Sequence, residues 1–199
     1  RFEVQYPPRG EVYDRNGEVL ASASYPSYDL STYYDDYTSL AQNSAAPLWN
    51  RVLQSTYAPG STMKPVIALA ALQEGVIDEN TTFYCDSSFE YMDQVFGCLE
   101  VHGNLDVRSA IDESCNIFFY NTADKLGITK MNTYSSLFGL GAKTGIELPE
   151  AAGVLAGPAY LESLGQSWYS GDTIQAAIGP SDNLFTLIQR ANYCTTIAH

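Results

Sequence analysis

The stretch from Tyr57 to Leu72, YAPGSTMKPVIALAAL, constrains the chain most, because a turn, a hydroxyl, an amine and an apolar helix follow one another in it. Pro59-Gly60 is a turn dipeptide, and Ser61 suits a helix N-cap. Val66 to Leu72 is an unbroken apolar run that leads to Gly75, a residue suited to the position just past a helix C-terminus. The pattern predicts a short, largely buried helix with Pro65 in its first turn, where a missing N–H is tolerated. Pro65 deprives the Ser61 carbonyl of its usual intrahelical donor, so Ser61 stands at an edge.

Ser61 and Lys64 are three residues apart, which on a helix places both side chains on one face. A bare Ser-x-x-Lys arises by chance in many chains, and its bland reading is a capping serine beside a solvated lysine. Against that, every residue from Pro65 to Leu72 is apolar or proline. Such surroundings desolvate an amine and lower its pKa towards that of a base, which a serine nucleophile needs.

The wording Tyr-x-Pro-Gly-Ser-Thr-x-Lys-Pro resembles the first motif of the penicillin-binding transpeptidases. That resemblance implies an α+β, serine β-lactamase-like fold with a helix-rich lobe and an incomplete antiparallel sheet. It also implies a serine-type D-Ala-D-Ala transpeptidase in which Ser61 is the acylated nucleophile and Lys64 the base. A second phrase, AIDESCNIFF, is similar to the family's second motif and follows the first in the required order. By resemblance, Ser114 relays a proton between Lys64 and the leaving amine, and Asn116 holds the substrate peptide. Read without the family, Ser-Cys-Asn is a solvated polar face within a helix running from Leu105 to Gly127.

The N-terminal part fits the same family. Glu11 to Tyr13 and Glu18 to Ala21 flank Asn16-Gly17, a strong hairpin signal. RGEVYDRNGEVLA resembles the entry phrase of class B penicillin-binding proteins, and ASASYPSYDL the start of their transpeptidase domain. The expected division is therefore residues 1–28 as an extended segment and hairpin, and 29–199 as a partial transpeptidase domain. In that family a pedestal is expected between those two phrases; here they are fused, which leaves open whether a pedestal was deleted or the hairpin supplies the first two sheet strands. From Asp29 onward a polar, Tyr-rich loop is expected, then a helical turn around Pro47 to Leu53 with Trp49 and Leu53 in the core.

Lys143-Thr144-Gly145 matches the wording of the family's third motif, but its context, FGLGAKTGIELPEAAG, resembles a glycine-rich loop between helices. The loop reading is preferred, so the chain is expected to stop before the third motif and its strands. With that strand goes a second oxyanion donor, and the 199-residue chain alone is expected to be inactive. Downstream, WYSGDTIQAAIG again resembles family wording, whereas Pro180, Ile188 and Arg190 stand where Gln, Leu and Leu are expected.

Thr81 to Gly103 reads as irregular. Cys85 and Cys98, with His102 nearby, are too few for a zinc site, leaving a disulfide or a pair of buried thiols. Because the family works outside the cytoplasm, a Cys85 to Cys98 disulfide is expected. Cys115 and Cys194 read as small apolar fillers, and no metal or cofactor is expected.

The net charge of −13 repels a phosphate backbone and excludes nucleic acid as a partner. No run has the length of a membrane-spanning helix, so any tether lies outside these residues. The resemblance implies the extracytoplasmic face of a bacterial membrane, with peptidoglycan stem peptides and β-lactams as ligands and cell-wall synthesis proteins as partners. Alternatives are a D,D-carboxypeptidase, a β-lactam sensor, or a truncated domain retained for binding or assembly.

Overall fold

The computed structural model describes residues 11–13, 19–22, 28–29, 31–180 and 182–198. Strand β1 (Glu11–Tyr13) pairs antiparallel with β2 (Val19–Ser22), as the hairpin signal predicts. The Asn16-Gly17 turn, the segment 1–10 and most of the phrase after β2 lie outside the described residues.

The Tyr-rich segment expected as a loop is instead helix α1 (Tyr33–Gln42). None of its residues is buried, so no apolar stripe marks it in the sequence. Its local support is an edge-on contact between Tyr33 and Tyr37, with Asp35 and Asp36 in the first turn opposing the helix dipole. Helix α2 (Arg51–Gln54) is capped by the Asn50 side chain, which accepts from the Val52 and Leu53 amides. Leu53 is buried as expected, but Trp49 is 49% exposed and donates its indole N–H to Ser55.

Strand β3 (Thr56–Tyr57) leads into a single 3-10 turn, Gly60–Met63, and then α3 (Lys64–Gln73). Ser61 is thus inside the 3-10 turn and is not an N-cap. The reason is Pro65: with no N–H there, the Ser61 carbonyl accepts from the Lys64 amide three residues on, which is 3-10 bonding. At the far end, Gly75 has φ +66°, its N–H reaches Leu72 O, and the Val76 N–H reaches Ala71 O. This is the double bond pattern of a Schellman stop.

The segment expected to be irregular contains two nested antiparallel pairs. The outer pair is β4 (Phe83–Cys85) with β7 (Gly103–Leu105); the inner is β5 (Ser88–Tyr91) with β6 (Gln94–Gly97). The helix expected from Leu105 to Gly127 is two helices, α4 (Val107–Asp112) and α5 (Asn116–Leu126). They are separated at Ser114, which has φ +52°. Ser114 N–H bonds Ile111 O and Cys115 N–H bonds Ala110 O, so Ser114 takes the left-handed stop position that glycine usually fills.

Gly127 begins α6 (Ile128–Leu137); then follow α7 (Pro158–Ser163), α8 (Ser170–Ala176), β8 (Phe185–Thr186) and α9 (Leu187–Ala198). β8 pairs antiparallel with β3. Val66, Ile67, Ala70 and Ala71 of α3 are fully buried among Phe118 and Phe119 of α5 and Met131 of α6. At about 25 cal/mol per Å2 of apolar surface removed from water, this burial fixes the helix that carries the Ser61 turn. The result is an α+β architecture, and no described helix is long and apolar enough to cross a membrane.

Candidate active site

Three breaks in regular structure bring the polar groups together: the 3-10 turn before α3, the left-handed residue after α4, and the first residue of α5. Ser61 is exposed on its turn, whereas Lys64 is only 2% exposed. The Lys64 Nζ donates to the Ser114 backbone carbonyl, to Ser114 Oγ at 3.0 Å and to Asn116 Oδ1 at 2.8 Å. Ser114 Oγ lies 2.9 Å from Ser61 Oγ. The hydrogen-bond path from amine to nucleophile therefore runs through Ser114.

Three acceptors match the three protons of an ammonium, and the Phe119 ring lies 5.7 Å from Nζ. Burial works the other way and pulls the Lys64 pKa below the ordinary lysine value of 10.5. A desolvated but well-bonded amine of this kind can take up and return a proton. The Asn116 side chain has two partners, accepting from Lys64 with its oxygen and donating to Gly97 O at 3.2 Å with its nitrogen. The end of β6 thus orients the amide that orients the lysine.

Beside this cleft, Cys85, Cys98, His102 and Cys115 place their ligand atoms within 4.8 Å of one another. His102 Nδ1 lies 3.4 Å from Cys85 Sγ and 3.6 Å from Cys98 Sγ. Around a tetrahedral zinc with Zn–S of about 2.3 Å and Zn–N of about 2.0 Å, the S···N edge is about 3.5 Å. The donor set therefore fits a structural zinc, with all four positions supplied by protein. Burial disfavours the Cys98 thiolate, but N–H donors from Asn116, Glu100 and Ile117 outweigh it and bring the pKa to about 7. Burial pushes Cys115 up to about 12.

The model of the penicillin-binding protein transpeptidase domain matches residues 12–199. The chain belongs to that family. It is 40% identical over 189 residues to the peptidoglycan D,D-transpeptidase MrdA of Salmonella typhimurium, covering 87% of this chain and 30% of that protein. With MrdA of Acinetobacter baumannii it shares 34% identity, covering 89% of this chain and 28% of the relative. Among solved structures, PBP2 of Pseudomonas aeruginosa in complex with WCK 5153 superimposes with a TM-score of 0.83 at 32% identity, covering 91% of this chain and 44% of that one. Helicobacter pylori PBP2 gives 0.83 at 33% identity, covering 96% and 39%. The chain thus spans about a third of the length of the curated relatives it matches.

Within this transpeptidase domain, the four residues singled out from sequence, Ser61, Lys64, Ser114 and Asn116, form one bonded group. Lys143 is not among their bonded partners in the described residues. Its loop is tied elsewhere: Thr144 Oγ1 and the Gly145 N–H donate to Glu150, and Gln189 donates to Ala142 O. The expected Cys85 to Cys98 disulfide is not present; all four cysteines are free thiols. Cys115 is no filler, since it faces the other three ligand atoms, and Cys194 is exposed on α9. The spacing of Cys85, Cys98, His102 and Cys115 was the available signal, but it becomes a donor set only once the nested strand pairs fold.

Proposed function

We propose that this chain carries the acylation centre of a peptidoglycan D,D-transpeptidase. Ser61 Oγ attacks the penultimate carbonyl of a D-Ala-D-Ala stem peptide. Its proton passes to Ser114, whose own proton passes to neutral Lys64. Collapse of the tetrahedral intermediate returns a proton by the same path to the leaving D-Ala amine. The amine of a neighbouring stem peptide then resolves the acyl-enzyme into a cross-link, and a β-lactam acylates the same serine. The observation that carries this reading is the continuous Ser61–Ser114–Lys64 path, with Asn116 as the third acceptor on the amine.

We further propose the division into residues 1–28 and 29–199, a membrane tether outside this chain, and work on the extracytoplasmic face. Helicobacter pylori PBP2 has been solved with MreC, and a related chain in a peptidoglycan synthase complex, which favours cell-wall synthesis proteins as partners here too. The Cys85, Cys98, His102 and Cys115 cluster is read as a closed structural zinc centre. A bound metal would hold β4, the end of β6 and the start of α5 together, and would supply no catalytic step.

The test is intact-mass spectrometry of the full-length protein after incubation with a reporter penicillin. A single adduct on wild type that is absent from S61A supports the reading. An adduct on both proteins, or on neither, overturns it.

A further inference from the structure

We infer that Arg190 is a positioning residue for the Ser61 nucleophile, acting through the backbone of the segment that precedes it. Arg190 lies in the first turn of α9, directly after β8, the strand paired with β3. Its Nη2 donates to the carbonyl of Tyr57 and, at 2.8 Å, to that of Ala58. These carbonyls stand three and four residues before Ser61, just ahead of Pro59-Gly60.

The arrangement is costly in a way that ordinary packing does not require. Arg190 Nε is buried with no hydrogen-bond partner, and no carboxylate forms an ion pair with the guanidinium among the described residues. A partly desolvated cation with a buried, unpartnered Nε and no acid beside it costs folding free energy, which its hydrogen bonds to the two carbonyls offset. What they serve here is the stretch that leads to the nucleophile: Tyr57 ends the β3–β8 ladder, and Ala58, just beyond it, has no other carbonyl partner among the described residues. Residue 59 is proline, and the turn that follows is 3-10 and a single turn long.

A second grip meets the same segment from the α8 side: the Gly60 N–H bonds Gly179 O at 3.3 Å. Gly60 itself has φ +56°. The chain between Tyr57 and Ser61 is thus clamped from α9 at its start and from Gly179 at its end. The direction in which Ser61 Oγ leaves the backbone is set by that clamp. An apolar residue at 190 offers no donor for either carbonyl, and lysine, a point charge without a planar fork, fits the pair less well.

The inference rests on the proposed acylation chemistry, but one arm of its test does not. The full-length protein is compared with R190M, which keeps a long stem, and with R190K and R190A. Hydrogen exchange at the Gly60 to Lys64 amides is expected to quicken in R190M while the interiors of α3 and α5 stay protected. Acylation by a reporter penicillin is expected to slow about 10- to 100-fold in its first-order step, as for a misplaced reacting atom, with the non-covalent binding constant unchanged. Millimolar ethylguanidinium is expected to restore R190A in part, and urea at equal concentration is not. Unchanged exchange at 60–64 overturns the inference. So does a uniform loss of protection across α3 and α5, which marks Arg190 as packing only. If wild type fails to acylate, the proposed function falls while the exchange arm still decides the role of Arg190.

Discussion

Ser114 reaches Ser61 from a backbone conformation that serine rarely adopts: its Oγ stands 2.9 Å from Ser61 Oγ while its φ is +52°. A glycine at that helix stop would avoid the left-handed penalty of about 1 kcal/mol, so the hydroxyl is what the strain secures. S114A and S114G both remove the relay, and both are expected to lose about 100- to 10,000-fold in acylation rate. Alanine keeps the strain that glycine relieves, and at positive φ this outweighs glycine's larger loss of backbone entropy, so S114G is expected to exceed S114A in urea stability by up to about 1 kcal/mol. An S114A variant at least as stable as S114G would show that the strain at this φ is no larger than that entropy difference.

Lys64 sets the pH dependence. Burial lowers its pKa from 10.5, and its neutral form is the one that accepts the relayed proton. Acylation is therefore expected to rise with pH through an apparent pKa below 10.5 and then level off. N116D puts a carboxylate where the amide oxygen accepts from Nζ, which favours the ammonium. The midpoint of the pH–rate profile is expected to move upward in N116D, and a downward move would contradict Lys64 as the titrating base.

The parts legible in the sequence were those whose local chemistry and tertiary role agree. Pro59 to Leu72 carries its own turn and the apolar run Val66 to Leu72, and the helix forms where that run puts it, with Ser61 drawn into a 3-10 turn ahead of it. Ser114 is the opposite case: Ala110, Ile117 and Phe118 keep a helical spacing through it, so periodicity ran α4 and α5 together across a stop made by a non-glycine residue. Helix α1 was hidden because it buries nothing. The strands from Phe83 to Leu105 are three or four residues long, too short for alternation to register, and their pairing is set by nesting. Arg190 was visible only as a departure from family wording, because its partners are backbone carbonyls more than a hundred residues away.

Two glycines with similar φ separate conformational cost from close approach. Gly75 has φ +66° with open space where a Cβ would go, whereas Gly179 has φ +82° and its Cβ would lie 2.3 Å from Gly60 O. G75A is expected to lose about 1 kcal/mol, the left-handed penalty alone. G179A adds a backbone collision, at about 1 to 3 kcal/mol more, and displaces Gly60. Urea denaturation should rank them in that order. Reporter-penicillin kinetics should show slowed acylation in G179A and an unchanged rate in G75A.

The four-ligand cluster ties metal content to the second motif, because Cys115 lies between Ser114 and Asn116 and the Asn116 backbone N–H donates to Cys98 Sγ at 3.2 Å. Protein purified without chelator is expected to hold about one zinc per chain, the stoichiometry of a closed Cys3His site. Zinc binding at such sites is coupled to folding, so removing it with a strong chelator is expected to lower the melting temperature and re-adding zinc to restore it. H102A and C115S are each expected to lose the metal. Cobalt substitution should give a thiolate charge-transfer band in wild type that both variants lack. Thiol titration of denatured, unreduced protein in the presence of chelator should count four free cysteines. A count of two, with no zinc bound, would instead mean that a disulfide occupies this corner in the working protein. Four free thiols with no zinc, and a melting temperature indifferent to chelator, would reduce the cluster to buried packing.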